Sequence, residues 1–436
     1  MAELAVGYVL KGYPRMSELF IASEIWRMEQ LGVPLRLYVV KPADETSHHP
    51  VVDRIAVVAS YLPPTTPLSG QPLLPWLRRN LPAYRPALLR MVRRRPLRLA
   101  RTIGAAGAQS VRTRKRWRPR SIHVKELLQA VELADRVLTT GDIGRLHAHF
   151  AHGTTTITWL ASMLCALPFS FTGHAKDIYL DSLNPAGLLA RKMRAADFVV
   201  TCTAANREHL QRLAPGTDVH RVYHGLNADF AQLISEVATP VRPPDGRLRV
   251  AAVGRLIPKK GFDVLVEAIG LLRAGGFDVS LTIAGEDGPA GTPVRGLVAG
   301  RGLGDVVRIV GPLSQWELLA LYRECDVFAL ACRVVADGDR DGIPNVMMEA
   351  MAAGLPVVST TVSGIPELVR HGVNGLLVPP EDPESLAGAL RRLATDHGLR
   401  LGLAQAAPLT VAEEFDGDLL AKQLAGLFAA RPGGRQ

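Results

Sequence analysis

A chain of 436 residues, 47% hydrophobic and 21% charged, has the composition of an ordinary globular protein and the length for two domains with full cores, which excludes disordered and fibrous classes. The net charge of +10 is unevenly placed: residues 54–125 hold 17 Lys and Arg and no Asp or Glu, leaving 34 basic and 41 acidic side chains, or −7, for the rest. Four cysteines without a CxxC pair are too few for a disulfide framework and exclude the common zinc-ribbon patterns.

Along the chain, short apolar strand patterns alternate with helical ones, the signature of parallel sheets with crossover helices. Strands are predicted near Leu4–Leu10, Leu35–Val40, Leu146–Phe150, Phe169–Thr172, Phe198–Cys202 and Val219–Tyr223, with a helix over Glu18–Leu31 that stops at Gly32. The longest apolar run, Trp159–Phe171, is 13 residues and contains Pro168, so no bilayer span is expected. The first residues lack the pattern of a secretory signal. A cytoplasmic protein is expected, with peripheral attachment to the inner face of the cell membrane as an extension of that reading. The segment Thr239–Arg247 has three prolines in nine residues and reads as a linker.

After it the alternation restarts with RLRVAAVG, a helix over Phe262–Leu272, VSLTIAG, VVRIVG, a helix over Ser314–Arg323, DVFALA, a helix over Pro344–Ala353 and LPVVST, and a last helix lies near Asp418–Ala430. The expected organisation is an α/β protein of two facing, doubly wound Rossmann-like domains: 1–240 with a basic helical insertion at about 70–125, then 245–410, then a C-terminal helix and tail over 411–436. Ligands of such sheets sit beyond the carboxyl ends of the strands.

Two segments carry chemistry. In DGIPNVMMEAMAAGLPVVST, Pro344 suits the first helical position, and the amides beyond it form a helix N-terminus that attracts anionic or hydroxyl-rich ligands. Asn345 and Glu349 share a helix face, while Met347, Met348 and Met351 pack elsewhere. The competing account is an amphipathic core helix with Glu349 solvated. In GRLIPKKGFDVL, Arg255 directly follows a strand and Lys260 stands at the mouth of the next helix, a fork and a point charge suited to a diphosphate without metal. Alone, this pair would be ordinary surface charge. AGEDGP, Ala284–Pro289, adds a glycine-rich turn.

In this order and spacing the segments resemble the family 4 retaining glycosyltransferases of GT-B fold, across about residues 245–380. GYPRMSELFIASEI, LHAHF and SFTGHAKDIY resemble the colanic-acid and exopolysaccharide members. The family's two acidic residues are here Asp341, where Glu is commoner, and Glu349. The resemblance implies that Glu349 binds the donor ribose and Asp341 a hydroxyl of the transferred sugar, that Arg255 and Lys260 neutralise the diphosphate, and that His174 reaches the donor sugar. It further implies donor contacts from Gly254, Gly342, Ile343, Pro344 and Asn345, a phosphate cradle at Gly364 and Ile365, and a nucleobase near Val310, Gly311, Pro312 and Leu313. Ser17, Glu18 and His149 fall on the acceptor side. Front-side attack, with the acceptor proton passing to the departing phosphate, needs no dedicated protein base, no cofactor and no metal.

Three further patterns compete. DGDRDG begins like a calcium loop, but the bidentate position falls on Met348, one residue short of Glu349. His147, His149 and His152 form HxHxxH, better read as cleft lining than as a metal site. The arginine-rich stretch from Arg78 to Arg120, expected as short helices broken by prolines, packs an apolar side on the first domain and leaves its arginines in water, or offers a surface to anionic lipid. Nucleic acid is disfavoured because no binding motif accompanies the charge. The resulting expectation is a hexosyltransferase using a nucleotide diphosphate sugar, UDP-hexose by preference, and a glycan, lipid-linked or small-molecule acceptor. The alternatives are another GT-B enzyme, such as an epimerase or phosphorylase, or an inactive membrane-associated adaptor.

Overall fold

The structure is a computed structural model that describes residues 4–42, 48–68, 70–114, 120–236 and 245–430. Residues 239–244 of the proline-rich segment and 115–119 of the second arginine cluster therefore lie outside the described residues. The chain forms two units. The first comprises the chain up to Cys202, Arg207–Val222 and the residues from Ala421; the second comprises Thr203–Asn206 and Tyr223–Leu420. The division thus precedes the proline-rich segment, because the helix Ala228–Glu236 buries Phe230 and Leu233 in the second core.

The first unit holds a sheet of β1 (Ala5–Leu10), β2 (Leu35–Val39), β3 (Ala59–Tyr61), β4 (Ile143–His149), β5 (Phe169–Gly173), β6 (Val199–Thr201) and β7 (Val219–Arg221) in the order β3-β2-β1-β4-β5-β6-β7. The pairings are parallel. All six residues of β1 are buried, as expected of a strand covered by helices on both faces. The apolar run from Trp159 divides as a short connection requires: the helix Gly153–Cys165 ends at Ala166 in a left-handed conformation, and Phe169 opens β5.

The basic stretch is not broken into short helices. Leu73–Arg94 is one helix with Pro82 and Pro86 inside it, followed by Pro96–Arg112. Both internal prolines are exposed, so the carbonyls they leave without an amide partner face water. The opposite face places Trp76, Asn80, Tyr84, Ala87 and Met91 at helical spacing, all buried, and this packing overrides the local breakers. The helix Ile122–Thr140, which the periodicity did not reveal, buries Glu126, Glu132 and Asp135 among its apolar residues. Arg90 neutralises Asp135 at 2.7 Å and Arg136 meets Glu132 at 2.8 Å. Arg90 and Arg94 of the insertion thus face Asp135 of the helix beneath them, while Arg136 pairs within that helix.

The second unit holds β8 (Leu248–Val253), β9 (Val279–Ala284), β10 (Val307–Val310), β11 (Val327–Leu330), β12 (Val357–Thr360) and β13 (Gly375–Val378), paired in parallel in the order β10-β9-β8-β11-β12-β13. The order reverses between β8 and β11, and in the first sheet between β1 and β4. These are the topological switch points where such sheets gather ligand groups. Among the described residues no helix is long and apolar enough to cross a membrane.

Two glycines allow the loops at the β8 edge to close. Gly261 has φ +65°, and a Cβ there would lie 1.8 Å from the Ala331 carbonyl oxygen; at Gly285 it would lie 2.1 Å from that of Gly254. Gly261→Ala is expected to cost roughly 1–3 kcal/mol, read as a lower urea midpoint, and an unchanged midpoint would contradict this packing.

Candidate active site

The loop after β8 carries the first charged groups. Arg255 is exposed, and no ion pair joins it to another described residue. The turn Pro258–Lys260 then aims two lysines at the loop after β11. Lys260 Nζ lies 2.8 Å from Asp341 Oδ2, and Lys259 Nζ lies 3.2 Å from Asp341 Oδ1 and 3.1 Å from Asp339 Oδ1. Burial opposes the charge on Lys260, but the Asp341 carboxylate outweighs it and raises the ammonium pKa. For Asp341, burial is likewise outweighed by Lys260 and Lys259, which hold its pKa below the ordinary value. Lys260 and Asp341, singled out separately in the sequence, are therefore in direct contact at the switch point. Two of the three acids of DGDRDG, Asp339 and Asp341, face lysines, and Lys259, which no motif singled out, bridges the two.

Pro344 is not the first helical residue. It is the N-cap, with φ −65° and ψ 124°, and the helix runs Asn345–Ala352. Gly342 and Ile343 form the bend before it. Glu349 is buried rather than solvated, with Met347, Met348 and Met351 also buried. Its Oε1 accepts a 2.6 Å hydrogen bond from Asn227 Nδ2, while Asn227 Oδ1 accepts from Gln315 Nε2 and the Phe230 amide. One neutral donor does not repay the lost hydration of a carboxylate. Burial therefore pushes the Glu349 pKa up to about 7 against the opposing pull of Asn227. Asn227 was missed because it lies over a hundred residues from Glu349 in sequence, in a segment without a motif.

The remaining donor-side positions lie at the same sheet edge. Gly254 ends β8, and its carbonyl is approached by Gly285. Val310 ends β10 and Gly311, Pro312 and Leu313 follow it, where the Gly285 amide donates to the Gly311 carbonyl at 3.1 Å. Gly364 and Ile365 open the short helix Ile365–Leu368 beyond β12.

In the first unit, His174 caps the helix Ala175–Tyr179. Its backbone amide donates to Asp177 Oδ1 at 2.7 Å, and Asp177 Oδ2 accepts from the Ala151 amide. Lys192, fully buried, donates to the carbonyls of Ala151 and His152 and to Asn184. This polar scaffold was not legible as a motif, because a lysine on a helical apolar face reads as solvated charge. His147 Nδ1 and Nε2 pair with Ser170 and Thr172, and His149 Nε2 pairs with Glu24. Ser17 is exposed, and Glu18 pairs with Arg15 at 2.8 Å.

Two parallel, doubly wound Rossmann-like sheets define the class of fold, and solved structures agree on it. HepE of Anabaena, solved with UDP and glucose, matches with a TM-score of 0.65 over 98% of this chain and 100% of that one at 16% identity. A family model, "Glycosyl transferases group 1", matches residues 247–396. The alpha-D-kanosaminyltransferase of Streptomyces kanamyceticus is 30% identical over 318 residues, 68% of this chain and 80% of that protein. WcaL of Escherichia coli strain K12, whose name assigns it to colanic acid biosynthesis, is 26% identical over an aligned length of 472, covering 98% of this chain and 100% of its own. The amylovoran biosynthesis glycosyltransferase AmsK of Erwinia amylovora is 40% identical over 181 residues, so this chain spans only 44% of that relative's length. The chain belongs to the group 1 glycosyltransferases, the GT4 class, with the GT-B fold. That family is generally metal-independent.

The Glu349 pKa gives a signed pH effect. A carboxyl raised from the usual 4.5 to about 7 stabilises the folded state below the unfolded pKa, and this contribution is lost as pH rises through about 7. Glu349→Gln is therefore expected to be more resistant to urea than the wild-type chain at pH 8, with the gap closing toward pH 4.5. A gap that is constant with pH would contradict the assignment.

Proposed function

We propose that this chain is a retaining, metal-independent hexosyltransferase that moves a sugar from a nucleotide diphosphate donor, UDP-hexose by preference, to a glycan, lipid-linked or small-molecule acceptor in exopolysaccharide or glycoconjugate biosynthesis. The observation that carries the reading is the group at the β8/β11 switch point: Arg255 without an ion partner among the described residues, Lys260 and Lys259 on Asp341, and a buried Glu349 with one neutral hydrogen bond. Arg255 and Lys260 take the diphosphate and stabilise the charge that grows on it as the sugar departs. Asp341 binds a sugar hydroxyl, and Glu349 gains from ribose hydroxyls the hydrogen bonds that burial denies it. His174 is the first unit's contribution to transfer. The names of WcaL and AmsK support the exopolysaccharide setting, and the UDP in HepE supports the donor preference.

The test is sugar transfer or donor hydrolysis with UDP, GDP and ADP sugars in EDTA, with the product anomer read by NMR. Turnover with retained configuration is expected, and Glu349→Ala, Arg255→Ala and Lys260→Ala should each lower it by roughly 10- to 150-fold. Wild-type turnover in Glu349→Ala, or activity that EDTA abolishes and manganese restores, would count against the reading.

A second feature favours work at an anionic membrane surface. The helices Leu73–Arg94 and Pro96–Arg112 contain no acid, and Leu74, Leu89, Val92, Leu97, Ile103 and Val111 are exposed among exposed arginines such as Arg78, Arg85, Arg93 and Arg101. Apolar side chains beside cations suit an interfacial helix on acidic lipid. Flotation with vesicles containing phosphatidylglycerol should exceed flotation with phosphatidylcholine alone, and equal partitioning would remove the membrane proposal.

A further inference from the structure

Beside His174 in the first unit lies a chain of buried polar groups to which the transfer reaction assigns no role. Tyr8 of β1, fully buried, donates its hydroxyl to Glu24 Oε1 at 2.8 Å. His149, also fully buried at the end of β4, meets the same oxygen through Nε2 at 3.1 Å. A carboxylate only accepts, so the proton of that bond sits on Nε2 and the tautomer is set. β1 and β4 are the strands that flank the switch point of the first sheet.

The His149 ring also stacks on His174, with centroids 5.9 Å apart and planes inclined by 22°. Phe150 at 4.7 Å and Phe20 at 5.1 Å also contact the His174 ring. Of these three neighbours only His149 has a hydrogen-bonding and protonation state, and only His149 is tied to a carboxylate. Its Nδ1 is buried and makes no hydrogen bond with a described residue. A histidine kept purely for packing would have both nitrogens satisfied, as His147 does on Ser170 and Thr172. Ligand atoms of Glu24, His147 and His149 do lie within 4.8 Å of one another, but with both His147 nitrogens occupied the arrangement is a hydrogen-bonded relay rather than a metal centre.

We propose that Glu24 and His149 are positioning residues of the transferase: Tyr8 and Glu24 lock the His149 ring in one tautomer and orientation, and the stacked His149 ring in turn sets the orientation of the His174 ring. This rests on the role in transfer given to His174 above. Burial opposes ionisation of Glu24, but His149, His147 and Tyr8 outweigh it and hold the carboxyl near 2, so the anchor keeps its charge throughout the range in which an enzyme works.

A double-mutant cycle separates positioning from mere support. The full chain is assayed for nucleoside diphosphate release from UDP-glucose, UDP-galactose and GDP-mannose, and the histidine rings are followed by 15N NMR. Glu24→Gln keeps the size and one acceptor oxygen; it is expected to melt as the wild type does, to shift the His174 ring resonances, and to lower kcat roughly ten- to hundredfold with donor KM within about twofold. In a His174→Ala background the same substitution should change kcat by less than about twofold. Equal losses in both backgrounds, wild-type kcat in Glu24→Gln, or unmoved His174 resonances would overturn the proposal. Full activity in His174→Ala would instead show that His174 has no role in transfer, and the positioning claim would fall with it. If no nucleotide is released by the wild type, the transferase reading fails separately and the NMR comparison alone decides whether Glu24 governs the state of His174.

Discussion

A parallel sheet cannot place its functional groups anywhere: the loops that follow its strands all emerge at one edge, and only where the strand order reverses do neighbouring loops part and leave room. In the second unit that constraint brings the turn after β8 against the loop after β11, and the contact is ionic. Lys260 and Lys259 meet Asp341, with side chains only 13–16% exposed. Removing one member of a buried pair typically costs about 3–5 kcal/mol, so this cluster both secures the two loops and concentrates charge where a diphosphate would be read. The geometry depends on backbone approach as much as on charge, since Gly261 and Gly285 let the loops come within distances that a Cβ would forbid.

The two units treat buried charge differently. In the second, Glu349 is left with a single neutral partner and a pKa near 7, a poor arrangement for stability and a useful one for binding hydroxyls. In the first, buried charges are fully enclosed by partners: Lys192 on two carbonyls and Asn184, Asp177 on the His174 and Ala151 amides, and Glu24 on Tyr8 and His149. Such networks fix the geometry of the loop after β4 and of the cap at His174.

Much of the fold was legible because its signals are local. Strand and helix periods placed most of β1–β12, and the motif over Asp341–Val378 marked the loop and helix that carry Asp341 and Glu349. What escaped was set by tertiary contacts. Pro82 and Pro86 read as breaks, yet the buried stripe from Trp76 to Met91 keeps the helix whole. The helix Ile122–Thr140 was hidden because Glu126, Glu132 and Asp135 interrupt its apolar pattern, and only the packed structure shows the partners that make those acids tolerable. Within the site, Arg255, Lys260, Asp341 and Glu349 stood in recognisable spacings. Asn227, Lys259 and Glu24 act across long sequence separations or beside a better-known neighbour, where no local pattern singles them out.

On the proposed function, the cation-rich switch point of the second unit recognises a nucleoside diphosphate through fixed side chains without metal. Calorimetric titration of UDP, GDP and ADP into the full chain in EDTA tests it most directly. One site is expected for at least one of these nucleotides, weakened by roughly tenfold or more in Lys260→Met. Failure of all three to bind, or equal affinity in Lys260→Met, would contradict it.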